Sequence, residues 1–254
     1  MSEHIAITET ADGVRLIRID RPEKKNALTG AMYDAMRVAL VEADAQDAIG
    51  AVVFAGAPGA FSAGNDLADF VAGAGKPFRE APALLFIRQL ARTRTPMIAA
   101  VDGIAVGIGT TLTLHCDFVY ASPAARFRMP FVELGLVPEA ASSYLLPRRV
   151  GLLKASEMLL LSQGFDADEA LSLGLVNGVM PTGLLLEHAL AQAARLAGLP
   201  RGAVQATRAL IRGDQAAMEA ALEAEAVAFE ERLRAPEAQA AFARSTSSPC
   251  GQPA

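Results

Sequence analysis

TPMIAAVDGIAVGIGTTLTLHCDFVYASPAARFRMPFVELGLVPEAASSYLLPRRVG, residues 95–151, is the stretch around which the chain is arranged. Met97 to Val101 reads as a buried strand and is followed by a tight turn bearing Gly103, Gly107 and Gly109. A helix opens near Ile108, a second strand covers Asp117 to Ala121, and a loop then carries Glu133 and Glu139. A glycine-bearing turn that opens a helix leaves backbone N–H groups without intrahelical partners, at the positive end of the helix dipole. Negative charge can be held there. A carboxylate one loop away can take a proton from the same bound molecule, which is the minimum equipment for making and stabilising an enolate.

On the N-terminal side, residues 4–20 alternate apolar and polar around Ala11-Asp12-Gly13, a hairpin signature. A polar loop, RPEKKNALTG, leads to Thr29, which can cap a helix bearing Met32, Met36, Ala39 and Leu40. Lys24 and Lys25 in that loop are either solvated charges or a clamp for a phosphate-bearing ligand. The strand Ala51 to Gly56 and the loop APGAFSAGND (57–66) repeat the strand, bend, helix order, and small residues at the bend let backbone approach a ligand. This makes the Ala63 N–H a candidate donor, with Asn65 and Asp66 as caps for the helix opening at Leu67. Residues 71–82 read as a loop or short helix and 83–93 as a helix leading into the central stretch.

After Gly151 helices dominate: 152–161, then 170–173 capped by Asp166 to Glu169, a short strand 176–180, and amphipathic helices over 184–197, 202–211, 215–234 and 236–242. The predicted organisation is a catalytic core over 1–195, a helical oligomerisation region over 196–244 and a disordered tail over 245–254. A helical appendage with an uncovered apolar face is a natural subunit interface.

At 254 residues, 52% hydrophobic and 20% charged, the composition is that of a folded domain with a substantial core. A net charge of −5 argues against a nucleic-acid surface. Two cysteines, Cys116 and Cys250, are too few for a disulfide framework and point to a reducing compartment. The start carries no secretory pattern and Met97 to Leu114 is too interrupted to span a bilayer, so the expectation is a cytoplasmic protein without a membrane partner. The three histidines are scattered, which suggests neither a nucleophilic triad nor a zinc site. His115 reads as a packed helix residue.

Four motifs carry a resemblance: RPEKKNAL (21–28), FSAGNDL (61–67), AAVDGIAVGIG (99–109) with CDFVYAS (116–122), and LGLVPEAASSYLLPRRVG (134–151). Taken together, residues 5–244 resemble the crotonase (enoyl-CoA hydratase/isomerase) superfamily. The resemblance implies an α/β fold, a spiral of ββα units with a C-terminal α-helical trimerisation region, assembled as a homotrimer or a dimer of trimers. It implies an acyl-CoA thioester substrate and no cofactor, CoA being part of the substrate. By position it makes the Ala63 and Ile108 N–H groups the oxyanion donors. It places Lys24, Lys25, Ala27, Ala63, Gly64, Asn65, Asp66, Leu67 and Phe131, with Phe242 and Arg244 from the helical region, around the CoA ester.

Hydratases of this superfamily use two glutamates, at positions that here hold Thr111 and Phe131. The sequence instead resembles the Δ3,Δ2-enoyl-CoA isomerase branch, whose carboxylate lies in L-G-x-x-P-E, and that position is Glu139. KASEMLL (154–160) supports the same branch. On its own, Glu139 also reads as a dipole-stabilising acid in a helix first turn after Pro138, and Glu133 reads as a solvent-facing alternative. The implied activity is transfer of a C3=C4 double bond to C2=C3 by one carboxylate. Another chemistry of the superfamily, such as hydration, and a non-catalytic acyl-CoA-binding protein are the alternatives.

Overall fold

In the computed structural model, which describes residues 2–72 and 78–247, the alternating N-terminal segment forms the expected hairpin. Strand β1 (Ile5–Glu9) lies antiparallel to β2 (Val14–Ile19), with Ile5 opposite Ile19 and Glu9 opposite Arg15. Helix α1 (Gly30–Ala45) begins at Thr29, whose hydroxyl accepts from the Met32 N–H. β3 (Ala51–Gly56) then joins β2 in parallel. β3 is buried on both faces, as its unbroken apolar run requires. Phe54 faces the main core with Met36 and Leu40 of α1, and Val53 faces a second core beneath α8 (Thr182–Ala197). Alternation along the strand divides the two sets.

β4 (Ala60–Ser62), α2 (Leu67–Ala72) and α3 (Pro82–Arg92) complete the first strand, strand, helix unit. β5 (Met97–Val101), β6 (Ile104–Val106) and the short α4 (Ile108–Thr111) form the second, and the chain continues from α4 as a 3₁₀ turn to His115. β7 (Phe118–Ala121), β8 (Arg126–Arg128), α5 (Ser142–Val150) and α6 (Leu152–Leu160) form the third. β9 (Phe165–Asp166), α7 (Ala167–Ser172), capped by Asp166 as its sequence predicts, and β10 (Gly178–Val179) close the spiral. One sheet runs β1-β2-β3-β5-β7-β10 and the other β4-β6-β8-β9, so the first strand of each unit enters the large sheet and the second enters the small one.

The chain ends in α9 (Arg201–Arg212), α10 (Gln215–Leu233) and α11 (Pro236–Ser247). Asp117 at the start of β7 ties α9 to the core through Arg208 at 2.7 Å and Arg212 at 3.2 Å. Arg88 of α3 holds α10 through Glu223, also at 2.7 Å. α8 runs unbroken across the expected boundary at 195/196 and packs on β3 and β5. α11 extends through the first residues of the expected tail. Residues 248–254 of that tail, and 73–77 of the expected loop, lie outside the described residues.

Candidate active site

The site forms where the parallel strands β4 and β6 end side by side, the edge of such sheets at which ligands sit. Their loops approach closely enough to demand glycine. A Cβ on Gly109 would lie 2.6 Å from the Ser62 carbonyl oxygen, and one on Gly64, whose φ is +90°, would lie 2.9 Å from that of Val106.

A third segment, residues 21–28, seals the other side. Asn26 is fully buried; its Oδ1 accepts from the Arg21 N–H at 2.8 Å and its Nδ2 donates to the Ala60 carbonyl at 2.6 Å. Ser62 Oγ donates to the Asn26 carbonyl at 2.9 Å. Leu28 then pairs with Asn65 as a parallel bridge, the Leu28 N–H donating to Gly64 O and the Asp66 N–H to Leu28 O.

This bridge corrects one expectation. The Ala63 N–H donates to the Lys25 carbonyl at 2.9 Å, so it is consumed in holding the two loops together and cannot serve an oxyanion. Two residues on, the Asn65 N–H points to the opposite side of the bridge and meets no acceptor among the described residues. The Ile108 N–H, first in α4, is equally without an acceptor, as its position at a helix start requires. The pair of backbone donors is therefore Asn65 and Ile108. Tyr33 of α1 fixes the Asn65 side chain, its hydroxyl donating to Asn65 Oδ1 at 2.5 Å. Burial, reinforced by the charges of Glu139 and Asp69, holds the Tyr33 phenol well above its ordinary value and keeps that proton in place.

Glu139 enters from the loop before α5. It lies outside a helix first turn, which corrects the dipole reading: Ala140 and Ala141 intervene, both left-handed at φ 57° and 53°, and the helix opens only at Ser142. The reversal turns the Glu139 side chain inward, where it is 8% exposed. The Thr111 hydroxyl donates to Glu139 Oε1. Thr111 is three residues beyond Ile108 on the same short helix, so one element carries both the Ile108 donor and the hydroxyl that holds the carboxyl. Burial pushes the Glu139 carboxyl up to about 8; the Thr111 hydrogen bond opposes the shift and the charge of Glu225 adds to it. Phe131, which the resemblance sets at the position of the second hydratase acid, is buried in the main core.

Of the other predicted residues, Lys24 and Lys25 are exposed, and Lys25 lines a cavity of about 220 Å³ with Pro22, Asn26, Gly59 and Ile104. Ala27 and Leu67 are half-buried beside the bridge. Asp66 caps α2 through the Ala68 and Asp69 N–H groups and pairs with Arg21 at 2.7 Å, a cation that holds its carboxyl below the usual range against the opposing effect of burial. Phe242 of α11 is buried in the main core, while Arg244 on the same helix is exposed. Glu133 pairs with Arg128 at 2.7 Å and stays half-exposed, away from the chemistry. His115 is a packed residue as read, its Nε2 2.7 Å from the Ala140 carbonyl. A larger cavity of about 910 Å³, between the start of β7, α5 and α9, includes none of Asn65, Ile108 and Glu139.

Sequence reading missed Asn65 as a donor, Tyr33, the Thr111 contact and Glu225. Only Glu225 left a signal, as an acid on the apolar stripe Met218, Leu222, Ala226, Phe229 of α10.

Residues 9–245 match the family model described as enoyl-CoA hydratase/isomerase, and the chain belongs to that family, within the crotonase superfamily. It is 38% identical to a probable enoyl-CoA hydratase of Rhizobium meliloti over 92% of this chain and 89% of that protein. It is 37% identical to enoyl-CoA delta isomerase 2 of Rattus norvegicus over 84% of this chain and 56% of that protein. Among solved structures, Pseudomonas aeruginosa OdaA superimposes with a TM-score of 0.91 at 41% identity, covering 97% of this chain and 100% of that one. An enoyl-CoA hydratase/isomerase from Pseudoalteromonas atlantica T6c gives 0.90 at 38%, covering 98% and 100%. The family is one of enzymes acting on acyl-CoA thioesters.

Proposed function

We propose that the protein is a Δ3,Δ2-enoyl-CoA isomerase in which Glu139 is the sole proton carrier. The observation that carries this reading is a buried Glu139 carboxyl held by the Thr111 hydroxyl, with Thr111 and the buried Phe131 standing at the two positions that the resemblance assigns to the hydratase acids.

Moving a double bond from C3=C4 to C2=C3 takes one proton from C2 and returns one to C4, with no water added. One carboxyl serves both steps. Ionised Glu139 takes the C2 proton, and the C2–H pair of electrons moves toward the carbonyl to give a dienolate. The charge that develops on the thioester oxygen is met by the Asn65 and Ile108 N–H groups, each donor worth about 10²–10³ in rate by analogy with measured oxyanion holes. The carboxylic acid then returns its proton to C4. A carboxyl pushed up to about 8 is suited to this exchange, being basic enough to accept and acidic enough to release near neutrality.

Lys24, Lys25, Ala27, Gly64, Asp66, Leu67, Phe242 and Arg244 line the course proposed for the CoA ester. A homotrimer is proposed as the working assembly, for which Leu153 on α6, 87% exposed, and Leu210 and Ile211 on α9, 83% and 80% exposed, supply apolar surface.

The test is to mix the purified protein with a 3-enoyl-CoA and follow ultraviolet absorbance for the conjugated 2-enoyl thioester, with 2-enoyl-CoA in parallel. Appearance of conjugation without its loss in the parallel sample is the expected result. Loss of conjugation there would replace the reading by hydration, and binding without turnover in both samples would replace it by an acyl-CoA-binding protein.

A further inference from the structure

The turn that aims Glu139 is an improbable piece of backbone. Ala140 and Ala141 are consecutive left-handed residues without a glycine between them. At the start of α5, Ala141 has no side chain with which to cap the helix. The missing cap is supplied from α10: one oxygen of Glu225 accepts from the Ala141 N–H at 2.6 Å, and the other accepts from the Ser143 N–H at 2.8 Å and the Ser143 hydroxyl at 2.5 Å. Three donors converge on the carboxylate at the positive end of a helix; burial raises the Glu225 carboxyl above its ordinary value, and the hydrogen bonds from Ser143 and Ala141 oppose that shift by favouring the ionised form. From the other side, His115 meets the Ala140 carbonyl at 2.7 Å. Burial, the dominant cause, pushes the His115 imidazole down to about 3, so it stays neutral and its Nε2 carries the proton donated to that carbonyl.

We propose that Glu225 is a positioning residue for the base: its carboxylate clamps the Ala140–Ala141 turn that aims Glu139, so docking of the C-terminal helix α10 completes the active site. The inference rests on Glu139 being the base, as proposed above. It has an electrostatic corollary. The groups acting on Glu139 are Thr111 from α4, which stabilises its ionised form, and Glu225 from α10, which opposes it; the phenol of Tyr33 on α1 feels the Glu139 charge but stays protonated. No Lys or Arg is hydrogen-bonded to either carboxylate among the described residues. Neutralising Glu225 therefore lowers the midpoint of Glu139. Glutamine there also keeps only one acceptor oxygen, so either the Ala141 or the Ser143 N–H faces another donor.

The experiment has two readouts on the full chain. In the first, which needs no turnover, the pH dependence of stability is compared between the protein and its Glu139→Gln variant, with and without Glu225→Gln. The difference tracks the Glu139 midpoint, and Glu225→Gln lowers that midpoint by about half a pH unit or more. In the second, Glu225→Gln lowers kcat on a 3-enoyl-CoA by about tenfold or more while KM stays within about threefold. Adding Ala141→Gly, which removes the left-handed strain, recovers part of the lost kcat and leaves the lowered midpoint in place.

An unchanged midpoint with unchanged kcat overturns the proposal, as does a loss carried by KM that Ala141→Gly fails to relieve. Should Glu225→Gln not fold, Ser143→Ala removes one of the three donors more gently, and unchanged kcat in that variant overturns the proposal. If the unmodified protein turns over no 3-enoyl-CoA, the isomerase reading fails while the midpoint comparison still decides the clamp.

Discussion

Glu139→Gln removes a charge that the fold itself resists. Burial raises the Glu139 carboxyl from its ordinary 4.5 to about 8. In this window the folded state binds more protons than the unfolded chain. Stability therefore falls as pH rises from about 4.5, and the fall is complete above about 8. A difference of about 3.5 units at about 1.4 kcal/mol each sets a ceiling of about 5 kcal/mol on the cost of carrying the ionised group. Glutamine retains an oxygen for the Thr111 hydroxyl and escapes the ionisation cost. The variant should match the parent near pH 4.5 and exceed it by about 2–5 kcal/mol near pH 8.5, which corresponds to roughly 5–15 °C in Tm for a chain of this size. Urea denaturation followed by circular dichroism, at fixed protein concentration and at half-unit steps between pH 4.5 and 9, measures it. A stability difference that is flat across that range, or that grows toward acid, refutes the account of Glu139 as a buried carboxyl held back from ionising.

Glu139→Gln should also lower isomerisation by at least about 10³-fold while CoA-ester affinity, read by calorimetry, stays within a few fold. In the unmodified protein kcat/KM should rise with pH toward a midpoint near 8, because only ionised Glu139 accepts the C2 proton. Thr111→Val removes a hydrogen bond favouring the ionised form, so the same limb should move to higher pH; a shift to lower pH would contradict the assignment. Gly109→Ala places a methyl 2.6 Å from the Ser62 carbonyl, which should force apart β4 and α4 and cost about 2 kcal/mol or more in stability together with most of kcat, checked by denaturation and steady-state rates.

Wherever local chemistry settles a structure, the sequence alone was sufficient. The apolar run Met97 to Val101 had to be a strand buried on both faces, Thr29 and Asp166 had to begin helices, and the clash awaiting any side chain at Gly64 or Gly109 lies behind the glycines of the motifs. Glu139 was nominated through the resemblance of residues 134–139 to L-G-x-x-P-E, since its local sequence alone also fits a dipole-stabilising acid. What tertiary structure decided was the direction of each backbone group and the company each charge keeps. Whether Ala63 or Asn65 offers its N–H to a ligand depends on which side of the Leu28 bridge each amide faces, and that is set by a loop more than thirty residues upstream. The basicity of Glu139 depends on its burial and on a glutamate in the C-terminal helix. A hydrogen bond or a desolvation penalty acts through space, and neither is written in the residues that neighbour it along the chain.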